Sequence, residues 1–416
     1  MIRRILSLIV MILLTTGFEL GAQDVQWRGP NRDGIYPDTA LLEEWSEDGP
    51  EVLFLAKGIG RGFSSAVATS DMIYLTGIKD SYEYLTALDL QGNILWQKPY
   101  GKCWDQSFPE TRSTPTVEDD RVYVLTGMDQ MACFHAKTGE EIWNVDIHKE
   151  YDSRWDMFGV SESVLLVGDK VITTPAGDST MAIALDKMTG ELVWKSKPIG
   201  AFRSNMSPIL IDHCGKEYVI ASSQTHMIGV DPENGKILWD YHYNFLNEAH
   251  ENTTILANTP VYKDSCLWIS NGWEVPSVML EIAPDGQSVS EKYRDQTFDN
   301  QNMGVVLVDG FLYGSNFTGR NDGKWVCMNW DTGEIKWIEN FHNKGPIIYA
   351  DGMLYCYEEK RGNMALVEAD PEEFKVISSF RITEGAGPHW ARPTIFNKML
   401  LVRRGEVLIA YKLKPS

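Results

Sequence analysis

The six cysteines of this 416-residue chain, Cys103, Cys133, Cys214, Cys266, Cys327 and Cys356, form no CxxC, no CxxCH and no adjacent pair. That spacing excludes a zinc knuckle and a covalently attached c-type haem. Cys133, Cys266 and Cys327 sit in strand-like apolar runs, where a free cysteine behaves as a small hydrophobe, and any pairing stays open. Positive charge is also scarce. With 38 Lys and Arg against 58 Asp and Glu the formal net charge is −20, which argues against a nucleic-acid surface, since phosphate binding needs clustered cations. After residue 22 no stretch approaches the roughly 18 uninterrupted apolar residues of a membrane span. Linkers rich in Pro, Ser or charge are missing too, which speaks against a string of separate β-sandwich domains. What remains, 43 % hydrophobic and 23 % charged, is the composition of a globular chain, not a disordered one.

The N-terminus reads as a leader. Arg3 and Arg4 precede an apolar run from Ile5 to Leu14, and Leu20-Gly21-Ala22 offers small residues for cleavage before Gln23. This is the pattern of a bacterial secretory signal over residues 1–22. No Cys follows the cut, so the expected product is a periplasmic or secreted protein rather than a lipid-anchored one.

One phrase recurs through the rest: Gly92 to Trp96, Gly139 to Trp143, Gly190 to Trp194, Gly235 to Trp239 and Gly333 to Trp337. The tryptophans are spaced by 47, 51, 45 and 98 residues, and the last gap has room for a worn copy. Ala283-Pro284-Asp285-Gly286 aligns its glycine there and sets Ser290 in the tryptophan position. A second worn copy runs from Ala369-Asp370-Pro371 to Ser378. Each phrase is a hairpin: Ile183 and Leu185 alternate into Asp186, Gly190 turns the chain, and Leu192 and Trp194 resume the alternation. Two more strand-like runs precede each hairpin, which makes four short strands per unit, the blade of a β-propeller.

The anchors Trp96, Trp143, Trp194, Trp239, Ser290, Trp337 and Ser378 count seven units. An eighth is divided between the chain ends: Glu51 to Ala56 is a lone strand, and Gly405 to Leu413 stops one strand short. Pairing them closes the ring and removes two exposed edges. The expected fold is therefore an all-β, eight-bladed propeller in one domain over 23–416, seven blades being the alternative if a worn unit is not a blade. The five tryptophans read as structural docks between neighbouring blades.

Function is sought where each blade's outer strand leads into the next blade's inner strand, since these connections converge on one mouth of the central channel. In most blades they carry a cation: Arg61, Arg112, Arg154 beside Trp155, Arg203, His250 near Asn252, Lys344, then His389-Trp390 and Arg392, with Asn302 among the amides of the sixth. Such a ring, with Trp155 and Trp390 as stacking faces, suits an anionic, planar or sugar-like ligand. The competing reading is that these cations pair with acidic neighbours such as Glu110, Asp156 and Glu251, or satisfy loop carbonyls.

The phrase Ala-Leu-Asp-x-x-Thr-Gly-x-x-x-Trp, clearest at Ala184 to Trp194, resembles the tryptophan-docking repeat of pyrroloquinoline-quinone-like (PQQ-like) propellers over nearly all the chain after residue 22. WD-type propellers fit less well, because among the five repeat tryptophans only Trp239 is followed by Asp and no Gly-His occurs. The opening Trp27-Arg28-Gly29-Pro30-Asn31-Arg32-Asp33-Gly34 is similar to the start of many exported bacterial members without an assigned activity. The resemblance implies two roles. One is a monomeric, BamB-like binding or scaffold module for a periplasmic or outer-membrane protein, or for a small anion or glycan. The other is a quinoprotein dehydrogenase of alcohols or sugars with PQQ and calcium, for which Glu162, Asn252 or Asp299 would supply oxygens. Those dehydrogenases usually carry an adjacent cysteine pair that this chain lacks, and no Asp, Asp156 and Asp299 included, stands in a recognisable general-base context.

Overall fold

The hairpin of the third unit is held by its own aspartate. The strand Ile183–Asp186 ends on a carboxylate whose Oδ1 accepts the backbone N–H groups of Met188 (2.8 Å) and Thr189 (2.9 Å). Gly190, at φ +76°, turns the chain back and donates its N–H to the Asp186 carbonyl at 2.8 Å. A side chain in that left-handed backbone would be strained, and glycine has none. The strand Leu192–Lys195 then runs along the outside, buries Trp194 and exposes the rest.

The computed structural model describes residues 25–155, 158–243, 256–319 and 322–415; the leader read at 1–22 lies outside them. Among the described residues, strands pair into eight four-stranded antiparallel sheets, with one short helix, Ile147–Tyr151. The first seven blades span 67–102, 116–146, 165–195, 209–242, 261–295, 305–339 and 347–381. The eighth combines 394–412 with Val52–Ala56, which pairs with Val407–Lys412 and sets Leu55 against Ile409. The protein is thus an eight-bladed β-propeller closed by its N-terminal strand.

Junctions between blades repeat one contact. Trp96, Trp143, Trp194 and Trp337 each donate the indole N–H to a carbonyl of the following blade, respectively Ala136, Lys187, Pro232 and Asp370, at 2.8–3.1 Å. The rings of Trp96 and Trp143 also lie on the next blade's turn glycine: a Cβ on Gly139 or Gly190 would stand 2.6 or 2.9 Å from them. The worn units improvise. In the fifth blade the aromatic on this spot is Tyr293, not the residue at the aligned position, Ser290. Its hydroxyl donates to the Trp330 carbonyl at 2.8 Å, and its ring covers Gly333. Three extra residues between turn and anchor hide this from the spacing. Trp239 departs in the other direction: its indole N–H has no partner, and Tyr218 instead faces Gly286 of the next blade. In the seventh blade Ser378 holds the tryptophan position, and Trp45 from the N-terminal segment fills the gap. Trp45 donates its backbone N–H to Ser378 Oγ and packs on Tyr355 and Phe380 with ring centroids 5.6 and 5.3 Å apart.

The motif Trp27 to Gly34 plugs the channel. Val25 bridges Val117 of the second blade, and Ile35 bridges Tyr349 of the seventh. Between them two buried arginines reach outward like spokes. Arg32 donates to the carbonyls of Ser163 (3.0 Å), Val164 and Pro208 (2.9 Å), and Arg28 to those of Asp33 (2.8 Å) and Val305. Backbone carbonyls of the inner strands and their approaches thereby gain partners, which buried polar groups require.

Candidate functional site

The connections between blades do converge, and with the plug beneath them they form a cup of about 240 Å³. Trp27 of the plug is part of its floor. Its walls carry Phe63, Phe108, Phe158, Trp273 and Trp390, with Asn205, Gln301 and Asn302 as amides and Arg112, Lys344 and Arg392 as cations. The aromatic wall is continuous: Trp390 packs on Phe63 at 5.0 Å and on Phe108 at 5.3 Å, and Phe108 reaches Phe158 at 6.2 Å.

The polar groups are fixed by their own connections. Arg112 donates to the carbonyls of Ser107 (2.9 Å) and Phe108 (2.7 Å). Lys344 Nζ lies 3.0 Å from Glu359 Oε1, whose other oxygen accepts the Trp390 indole N–H at 2.8 Å. Burial pulls the Lys344 ammonium below its usual range and Glu359 opposes that pull. Arg392 lies over Trp27, its guanidinium carbon 4.8 Å from the ring centroid, and donates to the Asn302 carbonyl.

Of the twelve residues expected at the mouth, five line the cup: Arg112, Asn302, Lys344, Trp390 and Arg392. Among the described residues, three of the expected cations belong to the lining: Arg112, Lys344 and Arg392. Arg203 is buried between Asp129, which its Nη1 contacts, and Glu162, 3.0 Å from its Nη2. Burial alone would lower it, yet these two carboxylates hold it above its ordinary value. Arg154 turns outward to Asp178 at 2.7 Å and lies over Phe202, and Trp155 packs against His148 and Trp104. Arg61 is exposed outside the lining. His389 is fully buried, bonded through Nδ1 to the Tyr357 hydroxyl, and pushed down to about 4 by burial and by Arg404, so it carries no charge at neutral pH. His250, Asn252 and Asp156 lie outside the described residues. The sequence reading overlooked the plug's Trp27 and the phenylalanines. A signal was there: Phe63, Phe108 and Phe158 each stand two to four residues from Arg61, Arg112 and Arg154.

A closed ring of eight blades, with Gly-x-x-x-Trp turns on its outer strands, defines a propeller of the PQQ-like class. A family model described as outer membrane protein assembly factor BamB matches residues 81–339, and the chain belongs to that family. It is 23 % identical to the outer membrane protein assembly factor BamB of Shewanella oneidensis over 204 residues, 47 % of this chain and 47 % of that one. It is 27 % identical to the quinoprotein ethanol dehydrogenase of Pseudomonas aeruginosa over 184 residues, 39 % of this chain and 29 % of that one. The chain thus spans less than half the length of these relatives. The crystal structure of BamB from Moraxella catarrhalis superposes with a TM-score of 0.64 at 16 % identity, covering 87 % of this chain and 99 % of that one. A europium-containing methanol dehydrogenase gives 0.63 at 14 % identity, covering 92 % and 90 %. At such identities the structural likeness speaks for fold alone. No helix among the described residues is long and apolar enough to cross a membrane.

Proposed function

We propose that this chain is an exported, monomeric binding module, active in the periplasm or outside the cell from about Gln23 onward, whose cup holds a small anionic or glycan ligand or a partner's segment without turning it over. The observation that carries the reading is the cup's inventory. Aromatic faces, cations and amides converge on a space floored by the plug, while Glu359, the one carboxylate among the described residues of its lining, is committed to Lys344 and Trp390. A binding pocket needs the first set, and general acid–base chemistry needs a carboxylate or imidazole that is free to exchange protons.

The alternative, a PQQ- and calcium-dependent dehydrogenase, draws on the similarity to quinoprotein ethanol dehydrogenase. Of the three oxygen donors expected for calcium, the two that are described are already engaged. Glu162 is occupied by Arg203 and by the Thr174 N–H and hydroxyl. Asp299 accepts the N–H groups of Phe317 (3.1 Å) and Glu274 (3.2 Å) and is pushed up to about 7 by burial. Among the described residues no three His, Cys, Asp or Glu side chains gather as a metal site, and no cysteines pair. Calorimetric titration of the mature chain with PQQ, with and without Ca²⁺, tests the choice. No heat is expected; tight, calcium-dependent binding would replace this reading with the dehydrogenase.

A further inference from the structure

Two arginines meet beneath the cup: Arg392 belongs to its lining, and Arg28 lies behind Arg392, outside that lining. Arg28, 3 % exposed, comes from the plug, and Arg392 from the connection into the eighth blade. Both approach the bare Cα of Gly304: a Cβ there would touch Arg28 Nη1 and lie 3.4 Å from Arg392 Nε. Arg28 Nε and Nη1 and Arg392 Nε are buried without a hydrogen-bond partner. Carbonyls of Asp33, Val305 and Asn302 take other guanidinium hydrogens, so neutral dipoles hold the two groups in place, and among the described residues no carboxylate pairs with Arg392. The Asp33 carboxylate attracts Arg28 from a distance while accepting the Ile35 N–H at 2.9 Å. Burial lowers Arg28 to about 10, and burial together with Arg28 lowers Arg392 to about 9. Both remain cations at neutral pH, and unpaired buried charge is costly unless an anion arrives.

The amides show the opposite deficit. Asn205 Oδ1 and Asn302 Oδ1 are buried acceptors without donors, and both residues line the cup. A purely acidic planar ligand would satisfy the arginines and leave these oxygens bare; a neutral sugar would do the reverse. Trp27, Trp273 and Trp390 add flat apolar faces of the kind that pack on sugar rings, in a volume below that of a drug-sized pocket.

We infer that Arg392, backed by the second positive charge of Arg28, receives a carboxylate and that the cup takes an acidic sugar, its carboxylate on the Arg392 guanidinium and its ring hydroxyls on Asn205 and Asn302. This rests on the reading of the cup as a binding site, and the test separates the two. Phenyl β-glucuronide and phenyl β-glucoside differ only in the carboxylate at the sugar's sixth carbon, and each is titrated into the mature chain with tryptophan emission as the signal. The glucuronide is expected to bind at least about tenfold more tightly, the scale of charge-assisted hydrogen bonds in a buried site. Arg392→Gln is expected to bring it down to the level of the glucoside. Equal affinities in the parent chain, or a preference that survives Arg392→Gln, overturn the acid subsite while the cup stands. Binding of neither probe overturns both. If Arg392→Gln does not fold, the parent comparison decides alone.

Discussion

Trp194 and Trp390 sit in the same fold under opposite rules. On the rim Trp194 is 7 % exposed, its indole N–H is matched to the Pro232 carbonyl, and its ring covers a neighbouring blade's glycine. In the cup Trp390 shows a face to open space, and around it Arg392, Asn205 and Asn302 keep buried polar atoms without partners. The rim repeats one contact and completes its bond at Trp96, Trp143, Trp194 and Trp337; the cup does neither. A fold that satisfies the indoles at four of its junctions and leaves several polar atoms bare around one pocket has placed its stability in the first and its binding capacity in the second.

Substitutions that separate the two regions sharpen this contrast. The largest losses of stability belong to the rim and its buried ion pairs. Trp194→Ala should cost about 3–5 kcal/mol in urea unfolding, the range for deleting a buried tryptophan. Arg203→Ala, which strands Asp129 and Glu162 in the interior, should cost a similar amount, about 3–5 kcal/mol, as does breaking a buried pair from one side. Gly190→Ala should follow at about 1–3 kcal/mol, because the new methyl meets the Trp143 ring and the backbone is left-handed.

A titratable joint comes next. Glu83 is buried where the first blade meets the second, accepts the Gly127 N–H and the Tyr100 hydroxyl at 2.7 Å each, and is pushed up to about 7 by burial. Between the ordinary glutamate value of 4.5 and about 7 the folded chain keeps a proton that the unfolded chain has lost. Its contribution therefore favours folding at the acidic end and fades as pH rises through that window. Relative to Glu83→Gln, the parent should lose at most about 1.4 kcal/mol of unfolding free energy per pH unit there, measured by urea titration at pH 5, 6 and 7. A flat difference would show the carboxyl ionised throughout. Smallest is the effect of the cup on stability: Trp390→Ala should cost only about 1 kcal/mol, the ordinary scale for a side chain with an exposed face.

The rim was legible in the sequence and much of the cup was not, for physical reasons. Period and turn chemistry are local, so Asp186, Gly190 and Trp194 announce their hairpin, and the divided eighth blade follows from counting strands. Where a unit compensates from a distance the pattern fails. Tyr293 stands three residues beyond the aligned Ser290, and Trp45 covers for Ser378 from more than 300 residues away. The cations show the same limit. Arg203 and Arg392 occupy similar connections and look alike in sequence; what separates them is that Asp129 and Glu162, from other turns, reach Arg203, while Arg392 meets another arginine. The plug motif has no periodicity from which its place in the channel could be read.

Trp194→Ala and Trp390→Ala, compared side by side for thermal unfolding and for phenyl glycoside affinity, test the division most directly. The account predicts a crossed result: the rim variant melts far lower yet, while folded, binds like the parent, and the cup variant melts near the parent and loses affinity. If both variants lost stability alike, or if Trp390→Ala bound the probes as well as the parent does, the separation of scaffold from site would be contradicted.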